Sequence, residues 1–96
     1  MKLIPRIGSV IKQVEEATGQ RIKYKWIAKQ LGLNPERTTM ITRYIQGKSL
    51  IPMDKAHHLV YLLNRILEKY EVQMQLTVND LYDSIPEEEE MNQPLP

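Results

Sequence analysis

The spacing of apolar residues along the chain predicts a series of amphipathic helices. Apolar side chains recur at intervals of three and four residues in four separate segments, as between Ile7 and Val14. This period places them on one face of a helix. Gly19 and Gly47 follow two of these segments and are typical of helix ends. The predicted helices cover residues 6–17, 24–31, 35–46 and about 53–70.

The pattern changes after the fourth helix. Residues 71–77 alternate apolar and polar side chains, which allows either an extended segment or a continued helix. The sequence VNDLYD, residues 78–83, suits a short final helix. From Ile85 the chain reads IPEEEEMNQPLP, with four consecutive acids and three prolines, and such a segment has too few apolar residues to pack. We therefore expect one all-α domain of four or five helices over 1–84 and a disordered acidic tail over 85–96.

The segment IAKQLGL, residues 27–33, has the residue types of the turn in a helix-turn-helix. Ala28 is small enough to lie where two helices pack closely, and Gly32 can adopt the positive φ that the turn requires. The leucines on either side of Gly32 are predicted to be buried. Asn34-Pro35 then predicts a helix start, because Asn caps free N–H groups and Pro loses no hydrogen bond at the first helical position. The next segment, ERTTMITRYIQ, is the candidate recognition helix.

Four pieces of the chain together resemble the Cro/C1-type (XRE) family of lambda-repressor-like helix-turn-helix domains. These pieces are VIKQVEEATG, YKWIAKQLGL, ITRYIQGKS and LTVNDLYD, and they follow the family's order over roughly residues 6–83. The resemblance implies a compact lambda-repressor-like domain. It also implies sequence-specific DNA binding by a transcriptional regulator, such as a repressor, from a bacterium, phage or plasmid.

The chain departs from the family pattern at three places. Tyr24 stands where the family often has a phosphate-contacting Gln. The interval between Gly32 and Gly47 is about one helical turn longer than usual, so the recognition helix is either extended or preceded by a longer turn. The stretch between the fourth helix and VNDLYD is also longer, which is compatible with a rebuilt dimer surface.

Charge is distributed unevenly between the two halves of the chain. Residues 1–50 contain ten Lys/Arg and three Asp/Glu, whereas residues 51–96 contain three Lys/Arg and nine Asp/Glu. The basic half is the one that contains the helix-turn-helix pattern. A polyanionic partner is therefore expected, either DNA or, in competition with it, the acidic tail of the same chain.

The candidate base-contacting residues lie on the exposed side and edges of the predicted recognition helix. Arginine can donate two hydrogen bonds to guanine O6 and N7, and threonine offers a hydroxyl group and a methyl group to base edges. Threonine is also a weak helix former, so several of them are unusual in a helix with only a structural role. The alternative is a solvated face with incidental polar residues. The predicted base contacts are Arg37, Thr38, Thr39, Thr42 and Arg43.

Further polar residues at the start of the second helix and after the third are candidates for phosphate contacts. The resemblance implies that these two places touch the DNA backbone on either side of the major groove. For any single lysine the alternative is an ordinary solvated side chain. The predicted phosphate contacts are Lys23, Tyr24, Lys25, Lys29, Lys48 and Ser49.

Other functional classes find little support in the sequence. The chain has no cysteine, and no catalytic constellation stands out, so we expect neither an enzyme nor a cofactor. The adjacent His57 and His58 point about 100° apart on a helix and are poorly placed to chelate one metal ion. Trp26 either stacks on a base or, as we prefer, packs against the first helix or a partner chain. With no long apolar run or leader segment, a cytoplasmic protein without membrane contact is expected.

The sequence thus predicts a DNA-binding regulator that acts as a homodimer on a palindromic site, since one short recognition helix gives limited specificity. The alternative is a lambda-repressor-like interaction module, such as an antitoxin or adaptor. Such a module would act through protein contacts made by the fourth helix or the acidic tail.

Overall fold

The computed structural model describes residues 2–34, Glu36 and 39–85, and over this part the chain is mostly helical. The four expected α-helices are present, and they are 12, 7, 7 and 17 residues long. Two short strands and one turn of 3-10 helix complete the fold. The elements in order are β1 (Lys2–Pro5), α1 (Ile7–Thr18), α2 (Tyr24–Gln30), α3 (Thr39–Ile45), α4 (Met53–Lys69), the 3-10 helix (Val78–Leu81) and β2 (Tyr82–Ile85).

The end of α1 is set by Gly19, as its position predicts. Gly19 has φ 69°, and its N–H donates to the Glu15 carbonyl at 2.8 Å. Glycine adopts this left-handed conformation without steric cost. The Glu15 carboxylate then accepts the Ile22 N–H at 2.8 Å, which ties the following loop to α1. This loop connects α1 to the start of α2.

The core is a single apolar cluster to which all four α-helices contribute. Helix α1 packs against α4, α3 and the 3-10 helix, and α2 packs against α3. Among the described residues no polar or charged side chain is buried, so the interior needs no internal polar network. The most deeply buried large side chains are Ile7, Val10, Ile11, Val14, Ile27, Ile41, Leu59, Leu63, Leu67 and Leu81.

The prediction of a purely helical domain is wrong at its two ends. Strands β1 and β2 form an antiparallel pair in which Lys2 faces Ile85 and Pro5 faces Tyr82. Residues 82 and 83 were expected in the final helix, which ends earlier, at Leu81. Ile85, assigned to the tail, belongs to β2. Residues 86–96 of the predicted tail lie outside the described part of the chain.

The predicted start of the third helix is also wrong. Glu36 lies in a turn, and the helix covers Thr39–Ile45. As predicted, the Asn34 side chain accepts a backbone N–H group just after it, that of Glu36 at 2.9 Å, but here the bond belongs to a turn. Residue 35, the expected first helical position, lies outside the described residues.

After α4, residues 72–77 form no helix, so of the two expected forms the continued helix is wrong; they also form no strand. Glu71 has φ 58°, and the Val72 N–H donates back to the Leu67 carbonyl at 2.9 Å, which closes the helix end. The Asn64 side chain donates to the Leu76 carbonyl at 3.0 Å and accepts the Leu76 N–H at 2.8 Å. One amide on α4 therefore satisfies both backbone groups of a residue in the returning chain.

Candidate nucleic-acid interface

Helices α2 and α3 are joined through the turn that the sequence predicts. Gly32 has φ 77°, and the Leu33 N–H donates to the Ala28 carbonyl at 2.8 Å, which closes the end of α2. Ala28 is fully buried and Leu31 is buried. Leu33 was expected to be buried. It is only partly buried, but it packs against the core.

Helix α3 also approaches α1 closely, at Gly8. A Cβ atom at Gly8 would lie 3.1 Å from the Ile45 Cγ2 atom and 3.4 Å from the Ile45 carbonyl oxygen. This is tighter than an ordinary contact between packed side chains. Contacts with α1 and with α2 therefore determine where α3 lies, and at Gly8 a larger side chain would require Ile45 to shift by a few tenths of an ångström.

The outward face of α3 carries three of the five predicted base contacts. Ile41, Tyr44 and Ile45 are buried, so the side of the helix opposite them faces outward. On that side Thr39 and Arg43 are exposed and one turn apart, and Thr42 at the edge is half-buried. The other two predicted base contacts, residues 37 and 38, lie outside the described part of the chain.

The Arg43 side chain is held by a residue from the next turn. Its Nε atom donates to the Ser49 hydroxyl at 2.9 Å. The backbone supports this arrangement, because the N–H groups of Lys48 and Ser49 donate to the Arg43 carbonyl at 2.9 and 3.4 Å. Gly47, with φ 74°, makes the turn possible. Ser49 was predicted as a phosphate contact, and here its hydroxyl orients the predicted base contact.

The predicted phosphate-contacting lysines are all exposed, and they lie at three places around α2 and α3. Lys25 and Lys29 are one turn apart on α2, away from the buried Ile27 and Ala28. Lys48 follows α3. At the start of α2, Lys23 and Tyr24 line a cleft of about 510 Å³ with Glu15, Arg21 and Ile22. The two ion pairs found among the described residues lie elsewhere, at Arg6–Asp83 and Arg65–Glu68.

Two further residues are exposed but were not among the predicted contacts: Met40 on α3, and Gln46 in the turn directly after it. Gln46 follows Arg43 by three residues on the outward side, and its N–H donates to the Thr42 carbonyl at 2.9 Å. Met40 is 44% exposed although it is apolar. Helical spacing from Thr39 and Arg43 could have identified Gln46. Met40 falls on the exposed side by the same periodicity, but its residue type indicated no chemistry.

The sequence predicts that Trp26 packs against the first helix or a partner chain, and in the structure its side chain borders a groove along α4. It lines this open groove of about 500 Å³ together with two apolar residues of α4, Leu62 and Ile66, and three charged ones, Arg65, Glu68 and Lys69. Trp26 as a whole residue is 37% exposed. Trp26 therefore belongs to the side of α2 that faces α4.

The described residues contain no group of three or more His, Cys, Asp or Glu side chains that could hold a metal ion. His57 and His58 are both exposed on α4. No helix in the part of the chain that the structure describes is both long enough and apolar enough to cross a membrane.

Comparison with known proteins gave no match, whether with protein-family models, curated proteins or solved structures.

Proposed function

We propose that this chain is a sequence-specific DNA-binding transcriptional regulator of the lambda-repressor-like helix-turn-helix type, with α3 as its recognition helix. The observation that carries the proposal is the outward face of α3. Thr39 and Arg43 project from a helix whose opposite side is packed on α1 and α2. A short polar helix held rigidly on a scaffold is what insertion into the major groove requires.

Arg43 is the main base contact in this proposal. Its Nε atom is engaged by Ser49, and the terminal Nη1 and Nη2 atoms form the end of the side chain that reaches guanine O6 and N7. Thr39 and Thr42 contribute hydroxyl and methyl contacts at neighbouring base pairs. Orientation by Ser49 reduces the entropy that the long arginine side chain loses on binding.

The lysines of α2 and of the turn after α3 supply the sequence-independent part of the affinity. Lys25 and Lys29 on one side and Lys48 on the other would neutralise phosphates along the two edges of the groove. Release of the counterions condensed on those phosphates makes such binding steeply dependent on salt concentration. The excess of bases in residues 1–50 fits this role.

Selection of bound duplexes from a random DNA pool tests the proposal, followed by titration of the wild-type protein and Arg43→Ala on the selected site. We expect an enriched two-fold symmetric motif, because two copies bind two half-sites. We also expect Arg43→Ala to lose the preference for that motif over a scrambled duplex. An unenriched pool, or binding that is independent of salt between about 50 and 200 mM, would refute DNA recognition by α3.

A second candidate function is an interaction module that acts through protein contacts. It is favoured by large apolar side chains that are exposed just before α4 and along it. Leu50 is 78% exposed, Met53 58% and Tyr61 59%. Exposed apolar side chains of this size often mark protein-binding surfaces. This alternative predicts association with a protein and no salt-steep affinity for DNA.

A further inference from the structure

The outward face of α4 carries a regular strip of four side chains, Asp54, His58, Tyr61 and Arg65. They follow one another at intervals of four, three and four residues, which places them on one line along the helix. All four are exposed, and Tyr61 is 59% exposed although it is aromatic. The strip lies opposite the buried face of α4, which consists of Ala56, Leu59, Leu63 and Leu67.

Other parts of the fold cover α4 on both sides of this strip. On one side, Lys55 donates to the Leu31 carbonyl at the end of α2 at 3.1 Å, and Trp26 lies beside Leu62 and Ile66. On the other side, Asn64 holds Leu76 through two hydrogen bonds. The strip between these contacts is left uncovered by the described part of the chain.

We propose that the strip is the surface through which two copies of this chain associate, with their α4 helices antiparallel across a two-fold axis. The pattern is self-complementary about a point between Leu59 and Val60. Asp54 and Arg65 lie equally far from that point on opposite sides, as do His58 and Tyr61. An antiparallel pair therefore places Asp54 opposite the partner's Arg65 and His58 opposite the partner's Tyr61.

The charges also select this orientation over the parallel one. A parallel pair would place Asp54 opposite the partner's Asp54 and Arg65 opposite the partner's Arg65. These two contacts would lie about 16 Å apart along the helix axis. Both contacts would then be repulsive, and like charges across an interface are strongly disfavoured. Within one chain Arg65 lies only 4.0 Å from Glu68, with both side chains mostly exposed. This weak local pair does not prevent Arg65 from meeting a second carboxylate.

Association through this strip does not depend on DNA binding. Its consequence for DNA rests on the proposed function, since a two-fold pair of chains presents two α3 helices to a palindromic site. Four polar and aromatic side chains per copy make a small interface, so DNA would bring together copies that associate only weakly in its absence.

The test is an exchange of charges, with self-association measured by sedimentation equilibrium in the absence of DNA. Asp54→Arg and Arg65→Asp should each weaken self-association by about tenfold or more. In a two-fold dimer, either substitution creates two repulsive contacts between like charges. An equimolar mixture of the two variants should associate again, since each unlike pair restores both attractions. The double variant Asp54→Arg/Arg65→Asp should also associate like the wild type.

Matched controls carry the same charge changes on exposed positions of α1. Glu16→Arg and Lys12→Asp should associate like the wild type. Tyr61→Ala should weaken association while leaving the melting temperature of the monomer within a few degrees, because the side chain is mostly exposed. Circular dichroism of each variant confirms that it is folded.

Three outcomes would overturn the proposal: a wild-type protein that stays monomeric at several hundred micromolar, single charge variants that associate like the wild type, or a mixture that associates no better than its components. None of these bears on DNA binding by one copy. Conversely, a random pool without an enriched motif would refute the proposed function and leave the α4 pairing unaffected.

Discussion

In the proposed function, base recognition depends most on the guanidinium group of Arg43. Replacing Arg43 by Ala should weaken binding to the selected site by about 1–3 kcal/mol, because a bidentate contact to guanine is lost. Arg43→Lys retains the charge but not the planar fork, so it should retain the salt dependence and lose base preference. Titration on specific and scrambled duplexes measures both. Lys12→Ala, an exposed base on α1, is the control, and equal losses on both duplexes would show that Arg43 contacts only phosphate.

Ser49 should act through Arg43 rather than independently of it. Its hydroxyl accepts from Arg43 Nε at 2.9 Å, and loss of one such hydrogen bond costs about 0.5–1.5 kcal/mol. Ser49→Ala should therefore lower specific affinity by no more than this amount and should have little further effect in an Arg43→Ala background. A double-mutant cycle on the selected duplex measures this coupling. Additive losses would instead support the original expectation of a direct phosphate contact by Ser49.

At the scale of the elements, the proposed helix-turn-helix depends on the packing of α2 against its neighbours at Ala28. Ala28 is fully buried on α2, and a larger side chain there would push α2 away from its neighbours. We expect Ala28→Leu to lower the free energy of unfolding by about 1–3 kcal/mol, because overpacking forces side chains and backbone to shift. Urea denaturation measures the change. Gln30→Leu, an exposed position on the same helix, should be nearly neutral, and an equally small effect at Ala28 would contradict the tight packing.

At the scale of the whole molecule, the lysines around α2 and α3 should control the electrostatic part of binding. Lys25→Ala and Lys48→Ala should each reduce affinity for all sequences alike and should each flatten the slope of log affinity against log salt by about one unit. Salt titrations on specific and scrambled duplexes measure the slopes, with Lys12→Ala as the control. A loss confined to the specific duplex would assign these lysines to base contacts.

The acidic residues 87–90 should compete with DNA for the basic half of the same chain. A tether keeps them at high effective concentration near that half. Removal of residues 86–96 should therefore strengthen DNA binding modestly at low salt, with the difference disappearing as salt screens the attraction. Replacing the four glutamates by glutamines should have the same effect if charge is the cause. Weaker DNA binding or a lost dimer after truncation would identify this segment as a partner-binding or structural element.

The sequence by itself determined the features that depend on neighbouring residues. The four helices, the caps at Gly19 and Gly47 and the turn at Gly32 follow from helical spacing and from the conformational freedom of glycine. The distribution of exposed residues on α3 follows from the same period, which is why Thr39 and Arg43 are found outward as predicted.

Only the tertiary structure decided the features that join distant parts of the chain. The pairing of residues 2–5 with 82–85 depends on where α1 and the 3-10 helix bring the two ends, and no local pattern encodes that meeting. Likewise Trp26 of α2 borders a groove along α4. The strip from Asp54 to Arg65 stays uncovered because the end of α2 and the segment around Leu76 lie on the two flanks of α4. Periodicity identifies which face of a helix is polar, but only packing decides which neighbour covers each of its sides.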